Sequence, residues 1–271
     1  MNSTKIRVIS AATLVLILIL TYMLFQQDGL QVVGFLITAV CIYEYNRLCF
    51  LKLPRLWQAS FCLFAYANFL IFFQNIGSMS IHFIILSFLF LLVGLLVNLK
   101  DVETSITKLG LGLIGFVYVG ILPAIFCRFF LKNEDGIFFL ILTLISVTST
   151  DIFAYFFGRW KGKTPLHTLS PKKTLEGAIA GTSISVLLTM TFTYFFKPEI
   201  FDFYLATAAL VASMVGQIGD LFESLLKRYA QVKDSGKIMP GHGGALDRID
   251  SLLFASPIFY FYYTYVYSTF V

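Results

Sequence analysis

The charged segment at residues 216–251 reads GQIGDLFESLLKRYAQVKDSGKIMPGHGGALDRIDS and lies between two apolar runs that are long enough to be membrane-spanning helices. It carries ten ionisable Asp, Glu, Lys and Arg side chains. An ionisable side chain at the centre of a bilayer costs about 2.5 to 3.5 kcal/mol. A membrane chain that keeps several of them needs compensating partners, and bound cations together with phosphates are one candidate set.

Two groups of polar residues in this segment have helical spacing, which places each group along one face of a helix. The first group, at i, i+3, i+4 and i+7, is Asp220, Glu223, Ser224 and Lys227. The second, at i, i+3 and i+4, is Asp247, Asp250 and Ser251.

A glycine-rich loop joins the two groups. Gly243 and Gly244 let the backbone approach a ligand closely, and consecutive amides there can form an anion-binding concavity. His242 is a candidate to donate a hydrogen bond to a phosphate or to act as an acid, with a structural histidine as the alternative. Asp220 and Asp247 are oxygen donors that suit Mg²⁺, which prefers one or two carboxylates plus substrate phosphates. The rival interpretation is a structural salt-bridge network that includes Lys227 and Arg248.

Composition identifies an integral membrane protein. The 271 residues are 58% hydrophobic and only 13% charged, so the chain lacks the polar surface of a soluble globule of this size. Four cysteines lie within or beside apolar runs without a CxxC pair, and they are predicted to be small buried hydrophobic residues.

Apolar runs of about 20 residues predict an all-α polytopic membrane protein with about nine transmembrane helices. The predicted spans are 5–25, 30–50, 56–74, 80–99, 108–131, 136–158, 175–196, 201–221 and 250–270. We expect one integral membrane domain, 1–271, in which 1–135 forms a scaffold and 136–271 is the catalytic half. Gly177 and Gly181 form a GxxxG pair that predicts close helix packing, with a dimer interface as the alternative.

The distribution of basic residues predicts the orientation. Only Arg128, Lys132 and Lys197, of the 20 Lys and Arg residues, fall on one side of the predicted membrane. Because cytoplasmic loops are enriched in Lys and Arg, the amino terminus and both charged loops are predicted to be cytoplasmic. The carboxyl terminus is then outside.

A second polar region precedes the seventh predicted span. Asp151 lies inside a predicted span, where a carboxylate suggests function, with simple pairing to Arg159 or a neighbouring lysine as the alternative. Ser170 is predicted to cap a helix that starts at Pro171, and such an end suits a polyphosphate. The alternative is a basic loop that only orients the helix. The predicted substrate-binding residues of this segment are Ser170, Lys172, Lys173, Thr174 and Glu176.

These residues together carry a resemblance. The pattern over residues 224–250 resembles the signature of phosphatidate cytidylyltransferases, also called CDP-diacylglycerol synthases, although Met239 and Ala245 replace the usual branched aliphatic residue or Phe. Residues 151–158 and 170–177 match that family as well, so the specific resemblance covers about 145–255. Its polar positions are Ser224, Lys227, Arg228, Lys233, Asp234, His242, Asp247, Arg248 and Asp250.

The resemblance implies a Mg²⁺-dependent enzyme that joins CTP to phosphatidate, giving CDP-diacylglycerol and pyrophosphate. It implies Asp220 and Asp247 at the metal centre, with K⁺ as a further candidate ion, and often a homodimer in contact with membrane lipid. We expect the bacterial inner membrane, a site facing the cytoplasm and no nucleic-acid partner. Lys172, Lys173, Lys227 and Arg228 are expected to contact phosphates, and Asp151, Asp234 and Asp250 to be further ligands or orienting groups.

Two other functions are compatible with parts of this pattern. A different CTP-dependent lipid enzyme, such as a polyprenol kinase, would release CDP instead of pyrophosphate. A secondary transporter or channel would also use carboxylates and glycine-broken helices within the membrane.

Overall fold

The computed structural model describes residues 3–74, 77–97, 101–238 and 243–267. Over those ranges the secondary structure is mainly helical, and an isolated β-bridge joins Pro165 to Thr174. The α-helices are α1 (Ser3–Phe50), α2 (Arg55–Gln74), α3 (Gly77–Val97), α4 (Val102–Gly115), α5 (Leu122–Lys132), α6 (Gly136–Lys161), α7 (Leu175–Phe196), α8 (Phe203–Tyr229) and α9 (Leu246–Phe261). A π-helical turn, Phe116–Ile121, joins α4 to α5, a 3₁₀ turn, Pro198–Ile200, precedes α8, and a π-helical turn, Tyr262–Tyr267, follows α9.

Six helical segments among the described residues are long and apolar enough to cross a membrane, which supports the predicted all-α membrane architecture. They are Leu16–Phe50, Arg55–Gln74, Val102–Lys132, Gly136–Lys161, Leu175–Phe196 and Phe203–Tyr229. A shorter apolar helix covers Met79–Gly94. The predicted count of nine spans is therefore not confirmed.

The difference in span count has identifiable causes. The predicted spans 5–25 and 30–50 form one helix, α1, which has non-helical backbone angles at Gln26. That kink lies at the predicted break between the two spans. The predicted span 250–270 corresponds to α9, which ends at Phe261. The predicted span 201–221 is longer in the structure, because α8 continues to Tyr229 and includes the whole first polar stripe.

The chain divides into two compact units. The first unit contains residues 1–132 and 229–248, and the second contains residues 133–228 and 249–271. The loop after α8 and the start of α9 therefore pack with the amino-terminal helices, although they follow α8 in sequence.

Aromatic rings form much of the core of the first unit. Phe61 on α2 stacks with Trp57 and with Phe116, at interplanar angles of 4° and 8°. Tyr45 on α1 is fully buried, and its hydroxyl donates a hydrogen bond of 2.6 Å to the carbonyl oxygen of Leu111. The four cysteines are all free, and Cys41, Cys49 and Cys127 are buried while Cys62 is half-buried. This agrees with their predicted role as small apolar residues.

Hydroxyl groups link the helices of the second unit. Ser146 on α6 hydrogen-bonds to Ser185 on α7 at 3.1 Å, and Thr150 hydrogen-bonds to Ser213 on α8 at 2.6 Å. Ser213 also donates to Thr182 on α7 at 3.1 Å. Such hydrogen bonds between small polar residues stabilise helix pairs within membranes, where no water is present to take their place.

The GxxxG pair on α7 lies against α6 within the same unit. A Cβ atom added to Gly177 or Gly181 would lie 2.5 Å from the carbonyl oxygen of Ala154 or Thr150, respectively. Real Cβ atoms do not approach a carbonyl oxygen that closely, so only glycine permits this helix separation. The predicted close packing is confirmed, and this face of α7 is used inside the chain.

We predict that Gly181→Ala lowers the free energy of unfolding in detergent by about 1–3 kcal/mol, because the added methyl group forces α6 and α7 apart. The matched control is Gly110→Ala on α4, where an added Cβ atom meets nothing within 4 Å. That control should leave stability unchanged or raise it by up to about 1 kcal/mol through helix propensity. Equal effects of the two substitutions on a denaturant titration would contradict the close packing of α7 on α6.

Candidate active site

The segment before α7 is held as a closed loop. The backbone amide of Leu166 donates to the carbonyl oxygen of Lys173, and the amide of Leu175 donates to that of Thr164, at 2.8 and 2.9 Å. Ser170 and Lys173 close a turn through a 3.0 Å backbone hydrogen bond. Backbone hydrogen bonds within the loop therefore fix the main chain that carries Lys172 and Lys173.

The predicted cap of α7 was wrong. Ser170 and Pro171 lie in the turn, α7 begins at Leu175, and Thr174 is the N-cap, with its hydroxyl accepting from the amide of Gly177 at 3.2 Å. The physical reason is that proline at the second position of a turn is as favourable as proline at the first position of a helix. The β-bridge between Pro165 and Thr174 favours the turn at Ser170 and Pro171 over a helix that starts there.

Glu176, in the first turn of α7, holds the other end of this loop. Its carboxylate accepts hydrogen bonds from the backbone amides of Lys163 and Thr164, each with a 3.2 Å distance, and from the Thr164 hydroxyl at 2.9 Å. These contacts keep the loop against the helix. The predicted contact of Glu176 with a substrate stays a prediction.

Lys173 is the centre of a charged cluster in the second unit. Its ammonium group forms an ion pair with Asp220 on α8. Burial lowers the pKa of Lys173 below its ordinary value of 10.5, while the nearby carboxylates of Asp151 and Asp250 raise it and Lys227 lowers it. Three helices and the loop therefore bring five predicted site residues close enough to interact electrostatically: Asp151, Lys173, Asp220, Lys227 and Asp250.

The predicted polar stripe lies on the carboxyl-terminal part of α8. Glu223 is 1% exposed and forms an ion pair with Lys227 one turn later. Ser224 is half-buried on the same stripe, and Arg228 is exposed at the end of the helix. Cations in the last turn interact favourably with the helix dipole, which stabilises Lys227 and Arg228 at this end of α8.

The first unit contains a buried carboxylate that the sequence analysis did not select. Glu44 on α1 is 1% exposed. Its two oxygens accept hydrogen bonds from the backbone amides of Ala245 and Leu246, at 3.1 and 3.0 Å, and from the Ser235 hydroxyl at 3.2 Å. Glu44 thus binds the free amides at the start of α9, where the helix dipole favours negative charge.

Asp247 binds the same loop from the first turn of α9. Its Oδ2 atom accepts from the amide and the hydroxyl of Ser235, both at 2.9 Å, and from the amide of Gly244 at 2.8 Å. Gly243 has a backbone φ of 88°, a conformation that favours glycine, and a Cβ atom there would lie 2.6 Å from Asp247. Among the described residues, the anions that these loop amides hold are the protein's own carboxylates.

The other predicted residues of this loop have few constraints on their side chains. Lys233, Asp234 and Arg248 are exposed. His242 lies outside the described residues. Asp220 belongs to the second unit and Asp247 to the first, so their shared metal site stays a prediction.

The chemistry of these residues is compatible with Mg²⁺. Within the described ranges, no three His, Cys, Asp or Glu side chains are grouped as a metal site. Mg²⁺ usually takes only one or two carboxylates and completes its shell with water and substrate phosphates. Asp220 offers such an oxygen if Lys173 moves to a phosphate, and Asp247 is a second carboxylate of the same kind.

Glu44 has the same sequence feature that selected Asp151, a carboxylate inside an apolar predicted span. It is a lone carboxylate inside the apolar predicted span 30–50, between Tyr43 and Tyr45. Intramembrane carboxylates are candidates for function by default. The sequence could not show which residues it binds, since its partners lie about 200 residues later in the chain.

Comparisons with known proteins agree with the sequence pattern. The sequence model of the cytidylyltransferase family matches residues 5–266. The chain is 40% identical over 147 residues to the phosphatidate cytidylyltransferase of Staphylococcus haemolyticus, and 41% identical over 146 residues to that of Bacillus subtilis. Each match covers 54% of this chain and spans about half of the relative, 55% and 54% respectively. The phosphatidate cytidylyltransferase of Staphylococcus epidermidis is 32% identical over 263 residues, which covers 94% of this chain and 96% of the relative.

We predict that Glu44→Gln lowers the free energy of unfolding by about 2 kcal/mol, because charge-assisted hydrogen bonds contribute roughly 1.5–3 kcal/mol. The new amide NH₂ group would also face backbone donors. The control is Glu103→Gln, an exposed residue in the first turn of α4, which should change stability by less than about 0.5 kcal/mol. A denaturant titration in detergent that gave the two variants the same stability would contradict the role of Glu44.

Proposed function

This chain belongs to the cytidylyltransferase family, and from that premise we propose that it transfers the cytidylyl group of CTP to phosphatidate. The products are CDP-diacylglycerol and pyrophosphate. The observation that carries the proposal is the cluster around Lys173, where predicted site residues from α6, α8, α9 and the loop before α7 lie together. A cluster of lysines and carboxylates suits a reaction between two phosphate-bearing substrates.

The proposed reaction requires little proton transfer. A phosphate oxygen of phosphatidate attacks the α-phosphorus of CTP, and the bond from that phosphorus to the bridging oxygen of the β-phosphate breaks. A phosphate monoester is mostly ionised at neutral pH because its second pKa is about 6, so no strong general base is needed. Catalysis then depends on positioning the two substrates and neutralising their charge.

We assign these tasks to the predicted site residues. Lys172, Lys173, Lys227 and Arg228 would bind phosphates, with Lys173 exchanging Asp220 for a phosphate oxygen. Asp220 and Asp247 would hold Mg²⁺, which when bound neutralises phosphate charge and orients the reacting oxygens. K⁺ stays a further candidate. Glu176 and Glu44 would keep the two loops in place, and His242 would donate a hydrogen bond to a phosphate or act as an acid. The remaining predicted residues would bind and orient the substrates: Asp151, Ser170, Thr174, Ser224, Lys233, Asp234, Gly243, Gly244, Arg248 and Asp250.

We further propose a cytoplasmic site in the bacterial inner membrane, reached by phosphatidate from the bilayer and by CTP from the cytoplasm. The basic residue distribution and the bacterial relatives support this location. The proposed topology keeps nine spans, with the amino terminus in the cytoplasm and the carboxyl terminus outside, and the kink at Gln26 supports the separation of the first two spans. A homodimer is proposed from the family resemblance, through a face other than Gly177 and Gly181.

We predict that the purified protein, given phosphatidate, CTP and Mg²⁺ in detergent, releases one pyrophosphate for each CDP-diacylglycerol formed. Pyrophosphate and CDP should be measured separately in the same reaction. CDP release without pyrophosphate would indicate a CTP-dependent kinase and would reject the proposed transfer. Solute flux in sealed vesicles with neither product would indicate a transporter.

We predict that Asp247→Asn reduces turnover by at least about 100-fold, since it removes a charge from the proposed metal site. The fold should persist, because the asparagine carbonyl oxygen can accept the hydrogen bonds that Ser235 and Gly244 now donate to Oδ2. The control is Asp28→Asn, an exposed position outside the proposed site, which should retain activity. Turnover at the wild-type rate in the Asp247 variant would remove this residue from the site.

A further inference from the structure

The first unit contains a cavity that the sequence analysis did not identify. Its volume is about 730 Å³, within the range of about 300–1,000 Å³ that is usual for small-molecule sites. Three segments line it: residues 47–53 at the end of α1 and the following turn, Thr104 and Lys108 on α4, and residues 229–237 after α8.

The cavity is strongly basic. Five cationic side chains line it against the single carboxylate of Asp234, and these cations are Arg47, Lys52, Lys108, Lys233 and Lys237. Over the described ranges of the chain, the ion pairs are those of Lys173, Lys197 and Lys227, so none of the five cavity cations is paired with a protein carboxylate. Their charge is available to an anionic ligand.

One wall of the cavity is held in place from behind. Ser235 and Gly236 are both buried. The Ser235 hydroxyl hydrogen-bonds to Glu44 and Asp247, and Glu44 lies so close to Gly236 that a Cβ atom there would collide with it. Lys233 and Lys237, on either side, are exposed. A wall that is already ordered loses little conformational entropy when a ligand binds, which favours binding.

The cavity also offers a surface for an aromatic base. Tyr229, at the end of α8, lines the cavity and is 49% exposed. Stacking of a nucleobase on an aromatic ring contributes about 1–3 kcal/mol. A single phosphate monoester carries about −1.5 to −2 charges, so a lipid headgroup of that kind would offset less than half of the five cations. A triphosphate with an attached base fits both the charge and the exposed ring better.

We propose that this cavity binds the nucleotide substrate, with its triphosphate on Arg47, Lys52 and Lys108 and its base on Tyr229. This inference rests on the proposed function and adds to it residues of the amino-terminal helices, which were expected to be only a scaffold. Nucleotide affinity is then set in part by α1 and α4, far in sequence from the signature segment.

The test uses the full-length protein in detergent and the single variants Lys52→Ala and Lys108→Ala. Each should raise the KM for CTP by about 3- to 10-fold, because it removes one charged contact to phosphate, and leave kcat and the KM for phosphatidate within about twofold. The matched control is Arg55→Ala, three residues from Lys52, exposed and absent from the cavity lining. A rise in the KM for phosphatidate instead would place a lipid headgroup in the cavity and overturn the proposal.

Direct binding separates this inference from the proposed reaction. Inorganic tripolyphosphate should bind the wild-type protein in calorimetry and bind the double variant Arg47→Ala/Lys52→Ala at least about tenfold more weakly. Tyr229→Ala should weaken CTP binding but not tripolyphosphate binding, whereas Tyr229→Phe should retain both. Unchanged binding in these variants would overturn the cavity assignment even if the enzyme makes CDP-diacylglycerol. Weakened binding would support it even if that product were never detected.

Discussion

A buried carboxylate near the amino terminus holds the most highly charged loop of the chain. Glu44 accepts hydrogen bonds from two amides at the start of α9 and from Ser235, and glycine at positions 236 and 244 makes room for it. A carboxylate buried without partners would cost several kcal/mol, so these donors are a requirement of the fold. The position of Asp247 and the shape of the basic cavity wall both depend on the same contact.

The second unit also contains buried polar and charged groups that need partners, and here the partners are hydroxyl groups and lysines. Its helices are joined by hydroxyl hydrogen bonds such as Thr150 to Ser213, and by the close approach of α7 to α6 at Gly181. This packing brings Asp220 on α8 to Lys173 in the loop before α7. Each charge compensates the other, and a phosphate-bearing substrate could take over part of that compensation. In the proposed function, the residues that compensate each other's charge in the protein are therefore also the ones that contact the substrate.

Sequence patterns predicted the local structure correctly where a single local interaction determines it, and they failed where two local structures suit the same residues. The predicted membrane span 175–196 has the same bounds as α7, because a polar loop, an apolar run and Lys197 mark its ends, although the cap pattern predicted a helix start at Pro171. Its cap was wrong, because Ser170-Pro171 suits a turn as well as a helix start, and the bridge from Pro165 to Thr174 settled the choice. The need for glycine at 243 was predicted, but the group that approaches it, Asp247, was not.

By itself, the sequence determined the membrane character, the helical class and the family, and it predicted most residues of the candidate site, because hydropathy and motif spacing are local properties of the chain. The tertiary structure decided that the described residues of 229–248 pack with the amino-terminal helices, that Glu44 binds the start of α9, and that five cationic side chains line one cavity. These facts depend on contacts between residues about 200 positions apart. No local pattern specifies such partners, since any buried carboxylate would be satisfied by any well-placed set of amides.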